Sequence, residues 1–317
     1  MSTRLHIRDA TATDAGALVA LQRAEAGTTQ LVAEPGERLL VAEQPGGRIV
    51  AALRLKPGVG LQVPRPLYHV GCVVHAAPEL GLFQRQRTLL LGHDLTGATE
   101  LADLAWSADD ALPLRAAALR TLLRGALLLR AAEGADAQET VVAELPGVRD
   151  AAGQSPFWKG LGRHFYGGDP AEAIERQGAQ RWRTQVSALL PRHPLYVSFL
   201  PAVAQATIGQ HAPACTWLRE LLQQEGLRHR QHVRVDDAGP VLEADFAALP
   251  AVQAAAVRRL GAPVAEALAR ERVLVHAGQG VHLLPAAREG DRWQLCAADA
   301  ARLGLHGETS AWTLRDA

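Results

Sequence analysis

The sequence predicts an α/β (α+β) fold in which a mixed sheet is flanked by helices and a small β-rich subdomain closes the C-terminus. Three observations carry that expectation. Strand-like and helix-like segments follow one another in the order strand, helix, hairpin, strand, long helix, strand, helix, strand. One strand-like run, Glu100 to Ser107, feeds a long helix that opens near Leu112. Short β runs dominate from about Leu260 onward, which divides the chain at 1–250 and 251–317.

Each element has a local reason. The N-terminal run Arg4 to Arg8 is short and alternating, and Thr13 reads as the cap of a helix carrying Leu18, Val19, Leu21 and Gln22. Arg38 to Glu43 and Arg48 to Leu55 flank the turn Pro45-Gly46-Gly47, the pattern of a hairpin. Tyr68 to Val74 is a valine-rich strand, followed by a helical or looped segment from Pro78 and the apolar run Thr88 to Leu91. Thr140 to Leu145 is a strand, and Ser155-Pro156 opens a short helix that stops at Gly162. His164-Phe165-Tyr166 reads as an aromatic-bearing strand. A helix with Trp217, Leu218, Leu221 and Leu222 on one face ends at Gly226 and leads into Arg228 to Val235. In the tail, Arg272 to His276, Gly280 to Leu284, Arg292 to Cys296 and Thr309 to Leu314 are strands, interrupted by a helix at Asp299 to Leu303.

Composition narrows the function classes. A chain of 317 residues, 48% hydrophobic and 21% charged, builds an ordinary globular core. Its 33 basic and 33 acidic residues cancel, so neither nucleic acid nor an anionic membrane surface is an expected partner. Cys72, Cys215 and Cys296 are far apart and lack metal-type spacing, which fits a reducing, cytoplasmic setting. His229 and His232 lie three apart on a strand, so no metal site is expected.

The central helix is apolar almost all round, through Leu119, Leu122, Leu123 and Leu127 to Leu129, which predicts burial. Arg120 and Arg124 share one stripe and read as ion-paired side chains, or as one arginine near a phosphate. A helix N-terminus behind a strand is a seat for an anion. Here the entrance, Ala111 to Ala118, has no glycine to admit a phosphate close to the backbone, and Pro113 removes one donor.

The element order is that of GCN5-related N-acyltransferases. In that fold two central strands splay, leaving backbone N–H groups for a thioester carbonyl, and the following helix binds the pyrophosphate of coenzyme A. A more specific resemblance lies over residues 68 to 245. Val74-His75-Ala76, His93-Asp94-Leu95-Thr96-Gly97, Val141 to Glu144, Ser155 to Trp158, His193 to Val197 and Ile208-Gly209-Gln210 occur in an order that resembles arginine N-succinyltransferases, nearest the α-subunit type. The resemblance implies succinyl-CoA as co-substrate, with no permanently bound cofactor. It implies L-arginine as acceptor, ornithine as a second candidate, and assembly as a homo-oligomer or with a related β subunit.

The resemblance also assigns site residues. The family's succinyl-CoA contact falls on a leucine in the first turns of the long helix, matched by Leu119. Its proton donor is a histidine directly after Ile-Gly-Gln-Val. Here that position is Ala212, and His211 stands one place earlier as the catalytic candidate. From the residues themselves, Glu144 at a strand end suits a guanidinium, with a structural ion pair as the alternative. Asp94 is either a partner of the acceptor or a turn residue, and Asp236 and Asp237 suit a cation or simply a turn. Three functions follow: a succinyltransferase, a non-catalytic or regulatory α subunit with a degenerate acyl-CoA site, and an amino-acid binding module.

Overall fold

The computed structural model describes residues 4–24, 36–278, 280–305 and 309–316. One sheet runs through it. Leu5–Asp9, Arg38–Glu43, Ile49–Lys56, Thr99–Trp106, Thr140–Glu144, Pro240–Asp245, Arg228–Arg234, Leu67–Ala77 and Leu82–Gly92 lie side by side in that order. The helix Leu112–Ala132 covers one face, and eight of its ten buried residues form the main core with Leu53, Leu101, Val141 and Leu242. Contact with the sheet is close enough that a Cβ at Gly125 would stand 2.2 Å from Ile7 Cδ1. A second cluster, around Tyr68, Phe157, Leu161, Ile208 and Val233, lies under the short helices Pro156–Gly160 and Ala202–Thr207.

The tail is β-rich, as expected, with its own apolar cluster of Leu260, Val273, Leu284, Trp293 and Leu295. It is nonetheless part of the same sheet, because Gly280–Glu289 pairs with Leu5–Asp9 in the register Leu5↔Leu283 and Ile7↔Val281. Three local expectations change. The N-terminal cap is Thr11 rather than Thr13, because the Asp14 carboxylate accepts from the Thr11 backbone N–H at 2.7 Å. Arg8 fixes that carboxylate with bonds of 2.7 and 2.9 Å and holds its pKa far below the usual range. His164 to Tyr166 is not a strand: Gly162–His164 is a 3₁₀ turn, and Tyr166 packs edge-on against Trp158 and Trp182 instead of joining a ladder. The run Thr88 to Leu91 extends to the strand Leu82–Gly92, which forms a long hairpin with Leu67–Ala77 through the turn Pro78–Leu80 and left-handed Gly81.

The sheet opens in two places. Thr99–Trp106 and Thr140–Glu144 are the one parallel pair of strands among the described residues, and they pair only at Thr99↔Val141 and Glu100↔Val142 before parting. Arg228–Arg234 pairs with Leu67–Ala77 from Arg234↔Leu67 to His232↔His69 and then parts at Gln231, a non-glycine residue at φ 82°.

Candidate active site

The first split starts from a rigid base. Arg65 is buried and donates to both strands: Nη1 and Nη2 to the Glu100 carboxylate at 2.9 and 2.5 Å, and Nε to Glu144 Oε1 at 3.0 Å. Glu144 also lies 3.6 Å from Arg183 and 3.9 Å from Arg234. Those arginines bond Asp236 in turn, at 2.9 and 3.1 Å, and hold its carboxyl far below the usual range despite burial. Asp237 accepts from the backbone N–H groups of Gly147 and Gly239, each at 2.9 Å. This buried ionic cluster ties the near ends of the strands together, so they diverge only beyond it.

Above the base, Thr99–Trp106 carries a bulge. Its register with Ile49–Lys56 slips by one residue between Ala52↔Ala105 and Arg54↔Ala102, and Asp103 within the slip has φ 50°. A bulge breaks the ladder and re-aims backbone groups, here at the edge of the split. Arg54, only 2% exposed, pins it by donating Nε to Asp103 Oδ2 at 2.8 Å.

The far end gathers residues from distant parts of the chain. Trp106 meets Trp217 edge-on with ring centroids 4.7 Å apart. Arg115, in the first turn of the long helix, lies over the Trp217 ring at 5.2 Å and has no carboxylate partner among the described residues. His211 faces Gly147, just past the end of Thr140–Glu144, in a single antiparallel bridge. The Thr216 hydroxyl donates to Pro213 O at 2.9 Å, so the contact of His211 Nε2 with Thr216 Oγ1 at 3.2 Å requires N–H on Nε2. Arg219 Nη1 donates to His211 Nδ1 at 3.3 Å. Partial burial, then the Arg219 charge, lowers the His211 pKa and keeps the ring neutral at neutral pH.

The space between the strands is not left open. Gln22–Arg23 forms a short antiparallel strand on the split-facing edge of Thr99–Trp106, in the register Gln22↔Trp106 and Arg23↔Ala105. The opposite edge of the same residues is taken by Ala51 and Ala52. Ala24 N–H donates to Leu104 O at 3.1 Å, and Trp106 Nε1–H to Gln22 Oε1 at 3.2 Å.

The expected site residues separate. His211 is at the mouth of the split. It lies on extended backbone rather than in a helix, so the one-residue offset from Ala212 turns the side chain to the opposite face. Leu119 is 0% exposed and sealed in the core, and the exposed residues of that helix end are Leu112, Pro113 and Leu114. Glu144 is already held by three of the chain's own arginines. Asp94 lies away from this split. It closes a turn and approaches His232 Nε2 at 3.2 Å, while Glu243 holds Nδ1 at 2.8 Å and raises the histidine's pKa. Arg124 binds Glu225 through two bonds of 2.9 and 3.0 Å, and Arg120 shares the same carboxylate, so this stripe is ionic rather than phosphate-facing. Sequence reading missed Arg65, Arg115 and Gln22–Arg23; only the positive charge of the arginines was visible there, without their partners. No group of three metal-ligating side chains occurs among the described residues, and no helix there is long and apolar enough to cross a membrane.

The second split is a cavity of about 250 Å³ lined by Val70, Gly71, Cys72, Arg87, Gly209, His229 and Gln231. His229 Nδ1 donates to Val241 O at 3.2 Å, leaving Nε2 as an acceptor, and burial lowers its pKa.

A parted parallel pair, a bulge on one strand and a buried helix behind the other end define an acyltransferase fold of the GCN5-related kind. Comparison with known proteins makes the family specific. Residues 20–251 match the profile of the arginine N-succinyltransferase beta subunit family (AstA), and the chain belongs to the arginine N-succinyltransferase family. It is 35% identical over 221 residues to arginine N-succinyltransferase of Enterobacter sp. (strain 638), covering 69% of this chain and 63% of that protein. With the Salmonella paratyphi B enzyme it shares 33% over 224 residues, at the same coverages. The chain thus spans less than two thirds of the length of these relatives. Its fold is similar to that of arginine/ornithine succinyltransferase subunit AI from Pseudomonas aeruginosa, with a TM-score of 0.76, 23% identity and 98% of each chain covered.

Proposed function

We propose that the chain transfers a succinyl group from succinyl-CoA to the α-amino group of L-arginine, with ornithine as a second acceptor. The observation that carries this reading is the parted strand pair with His211 at its mouth. Family membership supplies the substrate class. The amine nitrogen attacks the thioester carbonyl, an N–C bond forms and the C–S bond breaks. One proton leaves nitrogen and one reaches the departing sulfur. A neutral imidazole suits both transfers: Nδ1, exchanging its bond from Arg219, accepts the amine's proton and then donates it to the thiolate. Backbone N–H groups at the bulge suit the carbonyl oxygen as it gains charge. Arg115, stacked on Trp217 and lacking an acidic partner among the described residues, suits the phosphates of coenzyme A at the helix entrance. The exposed hairpin residues Leu80 and Phe83 support assembly, with another copy or with a related β subunit.

Free-thiol release from succinyl-CoA is the test, with L-arginine and L-ornithine in separate arms. Sustained release by the purified chain is expected. Release that starts only when a related subunit is added would replace this reading with that of a non-catalytic α subunit, which the occupied split and the glycine-free helix entrance favour.

A further inference from the structure

His211 is bonded on both ring nitrogens, and its partner at Nδ1 is a cation. Arg219 Nη1 donates there at 3.3 Å, while Nε2 meets Thr216. Arg219 stands three residues after Thr216 on the helix Thr216–Gln224, so both side chains reach the same ring. The guanidinium is half-buried, its Nε–H is enclosed with no hydrogen-bond partner, and no carboxylate pairs with it among the described residues. The arginines of the ionic base differ in this respect, since Arg65, Arg183 and Arg234 are bonded to Glu100 or Asp236. A buried guanidinium with an unused N–H suits an anion, and a carboxylate can take two parallel bonds from it.

Arg219 is not one half of a clamp with Arg115. Arg115 lies over Trp217, two residues before Arg219, and that spacing turns the two positions to nearly opposite faces of the helix.

The chemistry of the reaction says which carboxylate comes to Arg219. The acceptor's amine gives its proton to His211 Nδ1, the atom that Arg219 holds. In a free α-amino acid a carboxylate oxygen lies about 3 Å from the amine nitrogen, fixed by the bonds at the α-carbon. An α-amine within hydrogen-bond reach of Nδ1 therefore brings its own carboxylate to the Arg219 guanidinium. The carboxylate of the succinyl group is set two methylenes away from the reacting carbonyl and lies farther off.

We infer that Arg219 recognises the α-carboxylate of the acceptor, and that its transfer from His211 Nδ1 to that carboxylate frees the base. This rests on the transferase reading above and adds the reason why the acceptor is a free α-amino acid. Arg219 stays charged throughout and passes no proton; the proton goes from the amine to Nδ1 and on to the thiolate. An acceptor with the amine but without the carboxylate leaves Arg219 on Nδ1, so it loses turnover as well as affinity.

The test compares L-arginine with L-argininamide, which keeps the amine and the side chain but replaces the carboxylate by a neutral amide. Thiol release from succinyl-CoA gives kcat and KM for each acceptor, with the full chain and with Arg219→Gln. In the parent chain kcat/KM should favour L-arginine about a hundredfold or more, with kcat and KM both affected. In R219Q that preference should fall to about threefold or less. R219K keeps the charge without the two-pronged donor and should lie between, and it decides the matter where R219Q does not fold. Equal use of both acceptors by the parent would overturn the role of Arg219 and leave the transferase reading standing. So would a preference that persists undiminished in R219Q, or in R219K where R219Q does not fold. Calorimetry of L-arginine binding to parent and variant separates the remaining cases. Binding that depends on Arg219, without thiol release from either acceptor, would keep carboxylate recognition and overturn the transferase reading. Absence of both would overturn both.

Discussion

The two openings of the sheet are built by opposite means. The split between Thr99–Trp106 and Thr140–Glu144 parts above a buried cluster of arginines and carboxylates, and a piece of the chain's own backbone fills it. The split between Arg228–Arg234 and Leu67–Ala77 parts at a strained residue, Gln231, and stays an open cavity with Arg87, His229 and Cys72 around it. A parallel pair leaves its free edges pointing into one wedge, and uncovered edges there would template other strands. The antiparallel split lies beside a long hairpin whose inner strand is already paired on its other edge with Leu82–Gly92. Ionic anchoring of a parted parallel pair suits a reaction site; a local backbone kink suits a surface recess.

Four experiments separate the two regions, and the largest effect belongs to the ionic base. Arg65→Met leaves Glu100 and Glu144 buried without their principal partner, and we expect a loss of about 3–5 kcal/mol in denaturant unfolding. A loss below about 1 kcal/mol would mean that the cluster does not anchor the first split. Next, His211→Ala should lower kcat about a hundredfold or more, and remove the acid limb of the pH–rate profile, which the lowered pKa places below the ordinary histidine value. His229→Ala in the second split should leave kcat unchanged. The reverse pattern would move the chemistry to the other opening.

The histidines of the second split give a smaller, pH-dependent contrast. Glu243, with Asp94, raises the His232 pKa, so its stabilisation is full below the unfolded value and is lost as pH rises through the folded value. His229 is lowered by burial, so its neutral form stabilises above the unfolded value and that contribution is lost as pH falls. His232→Gln should therefore destabilise by on the order of 1 kcal/mol near pH 6 and by less near pH 9, as read from thermal unfolding. A pH-independent difference would assign His232 a packing role alone. The smallest effect is at Gln231: glycine there relieves the positive φ and should stabilise by a few tenths to about 1 kcal/mol. Destabilisation would show that the side chain, not the kink, shapes the cavity.

Much of this fold is legible in the sequence. The helix Leu112–Ala132, the strand before it, the hairpin Arg38–Glu43 with Ile49–Lys56, and the Ser155 cap, whose hydroxyl accepts from Trp158 N–H at 3.1 Å, follow from periodicity and turn chemistry. Local patterns of this sort are set by neighbours within a few residues. The site was less legible. Glu144, Asp236 and Asp237 are carboxylates beside a strand end and a turn, and nothing local reveals that Arg65 and Arg183 arrive from elsewhere to hold them. Leu119 and the buried leucines around it have the same pattern whether a ligand or the core covers them.

The sequence by itself determined the order of elements, the mixed sheet, the β-rich tail and the family, because spacing, caps and motif order are local quantities. Only the tertiary structure decided that the tail joins the main sheet through Leu5–Asp9 and that His211 lies on extended backbone at the mouth of the split. It alone showed Gln22–Arg23 lying along the free edge of Thr99–Trp106. The physical reason is shared: strand pairing joins backbone groups that any residue carries, so the partner of an edge is chosen by the packing of the whole chain and leaves no signature in the residues that form it.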